Sequence, residues 1–200
     1  MGSRSESEHE VSRRVKTEFL VQMQGVSNAN SNGVLVLGAT NLPWSLDSAI
    51  RRRFEKRIYI PLPDQEARHC LLVNAMKKEE HQIQPNELTQ LGEMTNMFSG
   101  SDLGALVKNA CMEPLRKFQT ATHFREVGRN NENKPVYMPC SPSDRGAQKM
   151  DGMKLSGNQV HKNPVSKFDF FKAIQDTKPS VSQKDLIKYK EWTRDFGMEG

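Results

Sequence analysis

The hydrophobic pattern in the first third of the chain predicts two strands around a short helix. Residues Gly33 to Gly38 form a continuous apolar run, which is typical of a strand buried on both faces of a parallel sheet. Arg57 to Leu62 is a second apolar segment of strand length, punctuated by prolines. Between the two segments, Asp47 is suited to cap a short helix. A further helix is predicted over Val11 to Met23, where apolar residues recur at helical spacing.

The pattern becomes helical after Asp64. This residue, Asn86 and Ser99 each precede an apolar periodic segment and are suited to cap the helix that it forms. Helical spacing returns near Phe168 and again after Ser182. The outline is therefore an α/β part followed by a mostly helical part.

Periodicity is lost between about residues 120 and 163. Prolines and glycines divide this stretch into short, weakly apolar pieces, which predicts a loop-rich insert with short strands. The last predicted helix, after the insert, carries a narrow apolar stripe with Leu186, Tyr189 and Phe196 and with Trp192 alongside. Such a stripe more often packs against the protein than binds a cofactor.

Composition and charge exclude several classes of protein. The longest apolar stretch, Val34 to Leu37, is far shorter than the roughly 20 residues that cross a bilayer. The polar N-terminus resembles no secretory signal, and three widely separated cysteines suit reduced thiols of a cytosolic protein. A net charge of +5 permits anionic partners, but no aromatic residues interleave with the basic ones. We therefore expect no direct nucleic-acid binding, and the histidine spacing predicts no metal site.

Two glycine pairs have the spacing of a phosphate-binding loop. They are Gly33 with Gly38 and Gly152 with Gly157. Neither pair is followed by the lysine that neutralises the phosphates in such a loop. The chain also has no apolar strand that ends in an acidic residue suited to magnesium. We expect no primary nucleotide site within these 200 residues.

Three other sequence features could contact a phosphate. Each of them can also be explained by an ordinary structural role. Arg51 to Arg53 can be a solvated basic turn or can contact a phosphoryl group, even that of a neighbouring subunit. Asn41 follows the first predicted strand, where its amide can orient water or merely satisfy a turn. The helix start at Ser99 to Leu103 can bind an anion or be an ordinary cap.

Taken in order, these motifs resemble the second region of homology of AAA ATPases. The segments that carry the resemblance are 33–41, Leu46-Asp47, 49–54 and 58–64. The contiguous triple arginine points to the meiotic clade of that family. Within the clade, segments 14–25, 121–124 and 179–182 are similar to the ATPase that disassembles ESCRT-III polymers.

The resemblance assigns roles to individual residues. It implies that Asn41 positions the attacking water and that Arg52 and Arg53 are arginine fingers reaching a neighbouring subunit's nucleotide. Gly100 and Ser101 would lie against the adenosine end of the nucleotide, although the family more often has alanine at the second position. Residues 5–10 would belong to a pore loop that touches translocating substrate.

The resemblance also implies a fold and its division. The fold class is α/β: the incomplete C-terminal half of an AAA large domain, then a mostly helical lid with a short β-type insert and a C-terminal helix. The expected boundaries are 1–64 for the large-domain half, 65–119 for the lid, 120–163 for the insert and 164–200 for the C-terminal helices. The phosphate loop and the acidic magnesium strand of the family are not among these residues.

Cofactors, partners and location follow as expectations from the same resemblance. The complete protein would use ATP and Mg2+, assemble as a homo-hexamer and disassemble ESCRT-III subunits. The 120–163 insert would recruit an activator protein. The protein would be cytoplasmic and reach endosomal membranes through its partners. The chain alone is expected to bind no cofactor tightly and to be catalytically incompetent. The alternative is a non-catalytic module that joins or poisons hexamers.

The resemblance also bears on the stability of residues 1–64. In AAA domains the strand that precedes the phosphate loop lies between the two strands predicted here. Without that strand, 33–40 and 57–61 would expose unpaired edges. We therefore expect residues 1–64 to be poorly stable alone, and residues 64–118 with the C-terminal helices to be the firmer unit. Protease digestion that spared the first part and trimmed the second would contradict this expectation.

Overall fold

The computed structural model describes residues 14–15, 17–23, 35–161 and 163–197. It divides into a terminal unit, residues 1–60 with 183–200, and a central unit, residues 61–182. Helices with defined bounds are α1 Ser48–Arg53, α2 Gln65–Met76, α3 Pro85–Met94, α4 Gly100–Thr120, α5 Lys167–Asp176 and α6 Gln183–Phe196. Strands are β1 His123–Arg129, β2 Pro135–Pro139 and β3 Gln148–Lys149. Residues 14–15 and 17–23 are also helical, within the helix predicted over 11–23.

The terminal unit contains α1, α6 and a 3-10 turn at Pro43–Ser45. Asp47 caps α1 as predicted, its carboxylate accepting a 2.7 Å hydrogen bond from the Ala49 amide. Segment 5–10, which is predicted to belong to a pore loop, and the start of the first apolar run lie outside the described residues.

The strand predictions for the terminal unit are wrong. The described residues 35–40 and 57–60, like 61–62 beyond them, form no strand. Leu35, Leu37 and Ile60 are each more than four-fifths exposed. A strand is stabilised by the ladder bonds and side-chain contacts of a neighbouring strand, and no described segment pairs with either run. An apolar sequence alone therefore does not fold these segments into a sheet.

The central unit is built around α2, α3, α4 and α5. Its core is a cluster of buried side chains: Leu72, Met76, Ile83, Leu88, Leu91, Phe98, Leu103, Leu106, Val107, Ala110, Val165, Phe170 and Ala173. Asp64 caps α2 and Ser99 caps α4, which confirms both predictions. The predicted Asn86 cap is wrong: Gln84 is the cap of α3, and its backbone N–H donates to the Glu87 carboxylate. Pro85 takes the first helical position, where its missing N–H costs nothing.

The predicted insert does form short strands, in a three-stranded antiparallel sheet of order β2-β1-β3. Phe124 of β1 is fully buried and packs edge-on against Phe118 of α4, with ring centroids 5.1 Å apart. Gly152 lies so close to this pair that a Cβ there would be 2.6 Å from the Phe124 ring. The glycine that mimicked a phosphate loop in the sequence is therefore required by packing.

Two buried carboxylates join α4 to α5. Glu113 forms ion pairs with Arg116 and Lys172, the latter at 2.6 Å, and Asp169 pairs with Lys117 at 2.5 Å. The Lys172 ammonium beside the Glu113 carboxyl holds the pKa of that group below its ordinary value, against the effect of burial. Buried carboxylates are stable only when they are paired in this way, so these pairs fix the register of the two helices.

Candidate functional site

The Asn41 segment is a tight turn that leads into the 3-10 turn at Pro43–Ser45. Asn41 is exposed. Its backbone carbonyl accepts a 2.5 Å hydrogen bond from the Tyr189 hydroxyl of α6. The next amide, that of Leu42, donates to the Thr40 hydroxyl at 3.0 Å. Asn41, which is predicted to position the attacking water, thus lies on an exposed turn whose backbone is held by side chains.

The three arginines occupy the last turn of α1. Positive side chains at a helix C-terminus interact favourably with the helix dipole. The Arg51 guanidinium carbon lies 4.1 Å from the centroid of the Phe196 ring of α6, a cation–π contact. Arg52 and Arg53 are exposed. Among the three, Arg51 therefore packs against α6, whereas Arg52 and Arg53, the two predicted fingers, are exposed to solvent.

An aromatic cluster stands beside the Asn41 turn. Tyr189 lies 5.0 Å from Trp44 and 6.0 Å from Tyr59 between ring centroids, and the two tyrosine rings are nearly parallel. The Lys188 ammonium lies 3.8 Å from the centroid of Trp44. Burial raises the pKa of Tyr59, and the neighbouring Tyr189 adds to the effect. The cluster connects α6 to the chain segments before and after α1.

The predicted Gly100 and Ser101 are the first two residues of α4, in the central unit. Both are exposed, and a side chain at Gly100 would meet open space. Their amides belong to the first turn of the helix, where backbone donors have no partner within the helix. These two positions can therefore approach a polar ligand, and no close packing explains the glycine.

Asp102 anchors this helix start to the segment before α6. Its Oδ2 accepts hydrogen bonds from the amide and hydroxyl of Ser99 at 2.9 and 2.8 Å, and from those of Ser180 at 3.2 and 3.0 Å. Burial raises the pKa of the Asp102 carboxyl, but these four hydrogen bonds outweigh it and hold the pKa below its ordinary value. The ionised carboxylate thus holds the cap residue Ser99 and the segment at Ser180 against the start of α4.

Asn41, Arg52 and Arg53 belong to the terminal unit, whereas Gly100 and Ser101 belong to the central unit. Sequence reasoning missed Tyr189 and Asp102 as residues that hold these groups. The seven-residue spacing of Tyr189 and Phe196 is a usable signal, because it places both on one face of a helix. The partnership of Asp102 with Ser180, 78 residues away, left no local signal.

Metal and membrane sites find no support in the described part of the chain. No cluster of three or more His, Cys, Asp or Glu side chains there could hold a metal ion. No described helix is both long and apolar enough to cross a membrane.

Three family descriptions match the chain in succession. Residues 1–62 match the ATPase family associated with various cellular activities, AAA. Residues 86–127 match the AAA+ lid domain, and residues 137–197 match the Vps4 C terminal oligomerisation domain.

Relatives match along the whole chain. Vacuolar protein sorting-associated protein 4B of Mus musculus is 47% identical over 205 residues, which cover 100% of this chain and 46% of that protein. Vacuolar protein sorting-associated protein 4A of Homo sapiens is 46% identical, covering 99% and 46%. The crystal structure of the FIGL-1 AAA domain has a TM-score of 0.72 at 34% identity, covering 95% of this chain and 53% of that one. The chain spans slightly less than half the length of the curated relatives it matches.

Proposed function

This chain belongs to the AAA ATPases, as a partial member of the Vps4 type, and on that premise we propose that it works within a hexamer that hydrolyses ATP to disassemble ESCRT-III polymers. The observation that carries the proposal is the terminal unit, where the Asn41 turn and the arginine helix are both held by α6. The match to an oligomerisation domain supports assembly, and the names of the relatives support a role in vacuolar protein sorting.

The roles of the residues follow from their chemistry. The exposed Asn41 amide would orient the attacking water, and Arg52 and Arg53 would stabilise charge on the phosphates of a neighbouring subunit's nucleotide. Gly100 and Ser101 would lie against the adenosine end, where open space and helix-start amides fit polar groups. ATP, when bound with Mg2+, supplies the phosphoryl group that is cleaved. The described residues include no carboxylate cluster suited to Mg2+, so we assign it no ligands here.

We propose that the 200 residues alone neither bind ATP tightly nor hydrolyse it. The printed sequence contains no Gly-x-x-x-x-Gly-Lys-Ser/Thr motif, and such a loop supplies most contacts to the phosphates. The incompetence is a property of this stretch, and hydrolysis would belong to a complete subunit.

The partners and location are also proposals. The sheet of the insert offers an ordered surface for an activator protein, and no nucleic acid is expected to bind. Membrane association would be peripheral, through ESCRT-III subunits on endosomes, with the protein otherwise cytoplasmic. The relatives' vacuolar sorting names support this assignment.

A chimera tests the proposal. The part of mouse Vps4B that precedes the matched region is fused to this chain, and ATP hydrolysis and the release of preformed ESCRT-III polymers are measured. We expect activity from the chimera and none from the 200 residues alone. Hydrolysis by the isolated chain would overturn the proposed incompetence, and an inactive chimera would overturn the proposed activity.

Mixing two variants tests the arginine fingers. Asn41→Ala removes the water-orienting amide, and the double change Arg52→Ala, Arg53→Ala removes the fingers; each chimera alone should be nearly inactive. If the fingers act on the neighbour, mixed hexamers contain intact sites, and random mixing should restore about a quarter of the activity, since half the sites keep each group. Mixing without any rescue would contradict action between subunits.

A second candidate function is a non-catalytic module that joins hexamers of a complete relative. The oligomerisation-domain match over residues 137–197 and the two exposed arginines favour it. Titrating the 200-residue chain into mouse Vps4B separates the two cases. Dose-dependent inhibition or rescue of ATP hydrolysis supports such a module, whereas unchanged activity at high excess contradicts it.

A further inference from the structure

The peptide group between Asn41 and Leu42 is held at both ends. Its carbonyl oxygen accepts the 2.5 Å hydrogen bond from the Tyr189 hydroxyl, and its N–H donates the 3.0 Å hydrogen bond to the Thr40 hydroxyl. A peptide group is a rigid plane. Two bonds at its opposite ends therefore restrict the rotation of that plane, and with it the backbone torsion ψ of Asn41.

The Tyr189 ring is itself held, so its hydroxyl points in a defined direction. Trp44 packs against it at 5.0 Å, and Tyr59 stacks on it at 6.0 Å between centroids. Aromatic pairs at such distances add specific geometry to simple burial. The hydroxyl therefore acts as a fixed donor and not as a swinging one.

A second contact prevents α6 from shifting along its axis. Phe196 lies seven residues after Tyr189, two helical turns or about 10 Å along the same face. Its ring lies 4.1 Å from the Arg51 guanidinium carbon. Sliding the helix by one turn would break the contact with the arginine helix and the bond to Asn41 together.

We propose that Tyr189 is a positioning residue for Asn41: its hydroxyl fixes the peptide plane that aims the Asn41 side chain. The proposal rests on the proposed function, in which that side chain orients the attacking water. The described segment before Asn41 forms no strand that could hold it. In this chain the restraint on the Asn41 turn comes from the Tyr189 and Thr40 hydroxyls.

The test compares Tyr189→Phe with Tyr59→Phe in the 200-residue chain. Both changes remove one hydroxyl from the stacked pair and keep both rings, but only the first removes the donor to Asn41. Amide exchange at Leu42, followed by NMR, should become about three- to tenfold faster in Tyr189→Phe, as expected for loss of one hydrogen bond. It should stay unchanged in Tyr59→Phe, as should exchange at Arg51, whose amide donates to the carbonyl of Asp47, the cap of α1. Equal exchange at Leu42 in both variants would overturn the proposal.

The same pair in the chimera tests the catalytic consequence. Tyr189→Phe should lower kcat about tenfold and leave the KM for ATP unchanged, because Asn41 is aimed at the water and not at the nucleotide. A general structural defect would instead change KM or reduce both variants equally. An unchanged kcat in Tyr189→Phe, in an active chimera, would overturn the positioning role. An inactive unmodified chimera would instead refute the proposed function, while the exchange rates still decide whether Tyr189 holds the peptide.

Discussion

Within the terminal unit and within the central unit of this chain, the structure is stabilised by different kinds of contact. In the central unit, aliphatic and aromatic side chains from four helices and from the segments that flank them form one buried cluster. In the described part of the terminal unit, Met23 is the only hydrophobic side chain that is buried. Leu35, Leu37 and Ile60 are largely exposed there, and the contacts described in this unit include aromatic pairs, two cation–π contacts and a few hydrogen bonds.

This difference separates stability from chemistry. Three of the proposed site residues, Asn41, Arg52 and Arg53, lie in the unit with the smaller core, where α6 supplies the restraint. The other two, Gly100 and Ser101, begin a helix that is anchored in a packed core. Polar groups on a poorly buried segment need specific bonds to hold a geometry, whereas a capped helix start is positioned by its core. The lower stability of residues 1–64 stays a prediction.

The sequence offers a way to observe each unit separately. Its two tryptophans, Trp44 and Trp192, both belong to the terminal unit. Tryptophan fluorescence therefore reports unfolding of that unit, while far-ultraviolet circular dichroism is dominated by the helices of the central unit.

The largest expected effect comes from truncating the central core. Leu106 is fully buried, and Leu106→Ala should lower the unfolding free energy of the central unit by about 3 kcal/mol through lost burial and a cavity. Leu37→Ala, the control, should cost under about 0.5 kcal/mol because Leu37 is 90% exposed. Urea unfolding followed by circular dichroism and fluorescence measures both. Similar losses in the two variants would contradict the contrast between the units.

The helix caps show how much of the fold local sequence can predict. Asp47, Asp64 and Ser99 cap helices as predicted, because a cap is an interaction within four residues. Asn86 was the wrong choice because a proline one residue earlier already occupies the first helical position. Local chemistry decided all four cases.

The strands and the site show where local sequence is insufficient. The apolar run ending at Gly38 predicted a strand, but pairing depends on a partner that lies elsewhere in a chain. The positions that carry the candidate site were recognised by resemblance, and their roles stay predictions. The bond from Tyr189 to Asn41 spans 148 residues, so a local hydrophobic pattern gives only the helix face and not the contact.

The next largest effect tests the buried charges of the central unit. Glu113 has a lowered pKa, so its pairing stabilises the fold at neutral pH, and that contribution is lost as the pH falls through the folded-state pKa. Glu113→Gln should cost about 2 kcal/mol at pH 7, less than for a fully buried pair because Lys172 and Arg116 are half-exposed. Its loss of stability on acidification to about pH 3 should be smaller than in the unmodified chain.

Thermal unfolding by circular dichroism between pH 3 and 7 measures that difference. Glu126→Gln is the control, because Glu126 is exposed and its pair with Arg129 is long, at 3.7 Å. A stability–pH curve for Glu113→Gln that runs parallel to that of the unmodified chain would contradict a role for this carboxylate.

A smaller effect is expected at Gly152, where the central unit tolerates no added methyl group. Gly152→Ala would place a carbon 2.6 Å from the Phe124 ring and 3.1 Å from Phe118, and the overpacking should cost about 1 to 2 kcal/mol. Gly157→Ala, from the other glycine of the same false phosphate-loop pair, meets nothing within 4 Å and should be nearly neutral. Equal melting temperatures of the two variants, measured by circular dichroism, would show that the sheet does not depend on this close approach.

The smallest expected loss of unfolding free energy comes from removing one cation–π contact in each unit. Phe196→Leu removes the ring over which Arg51 lies at 4.1 Å, and Phe168→Leu removes the ring near Lys167 at 5.6 Å. Exposed contacts of this kind contribute about 0.5 to 1 kcal/mol. The free energy lost should be similar in both cases. It should be a larger fraction of the stability of the terminal unit, because Met23 is the only buried hydrophobic side chain among the residues described there. Phe196→Leu should therefore shift the fluorescence-detected midpoint clearly, while Phe168→Leu shifts the midpoint detected by circular dichroism only slightly.

A larger shift for Phe168→Leu would mean that α6 does not hold the arginine helix. The division between a unit held by its core and a unit held by its helix α6 would then be wrong.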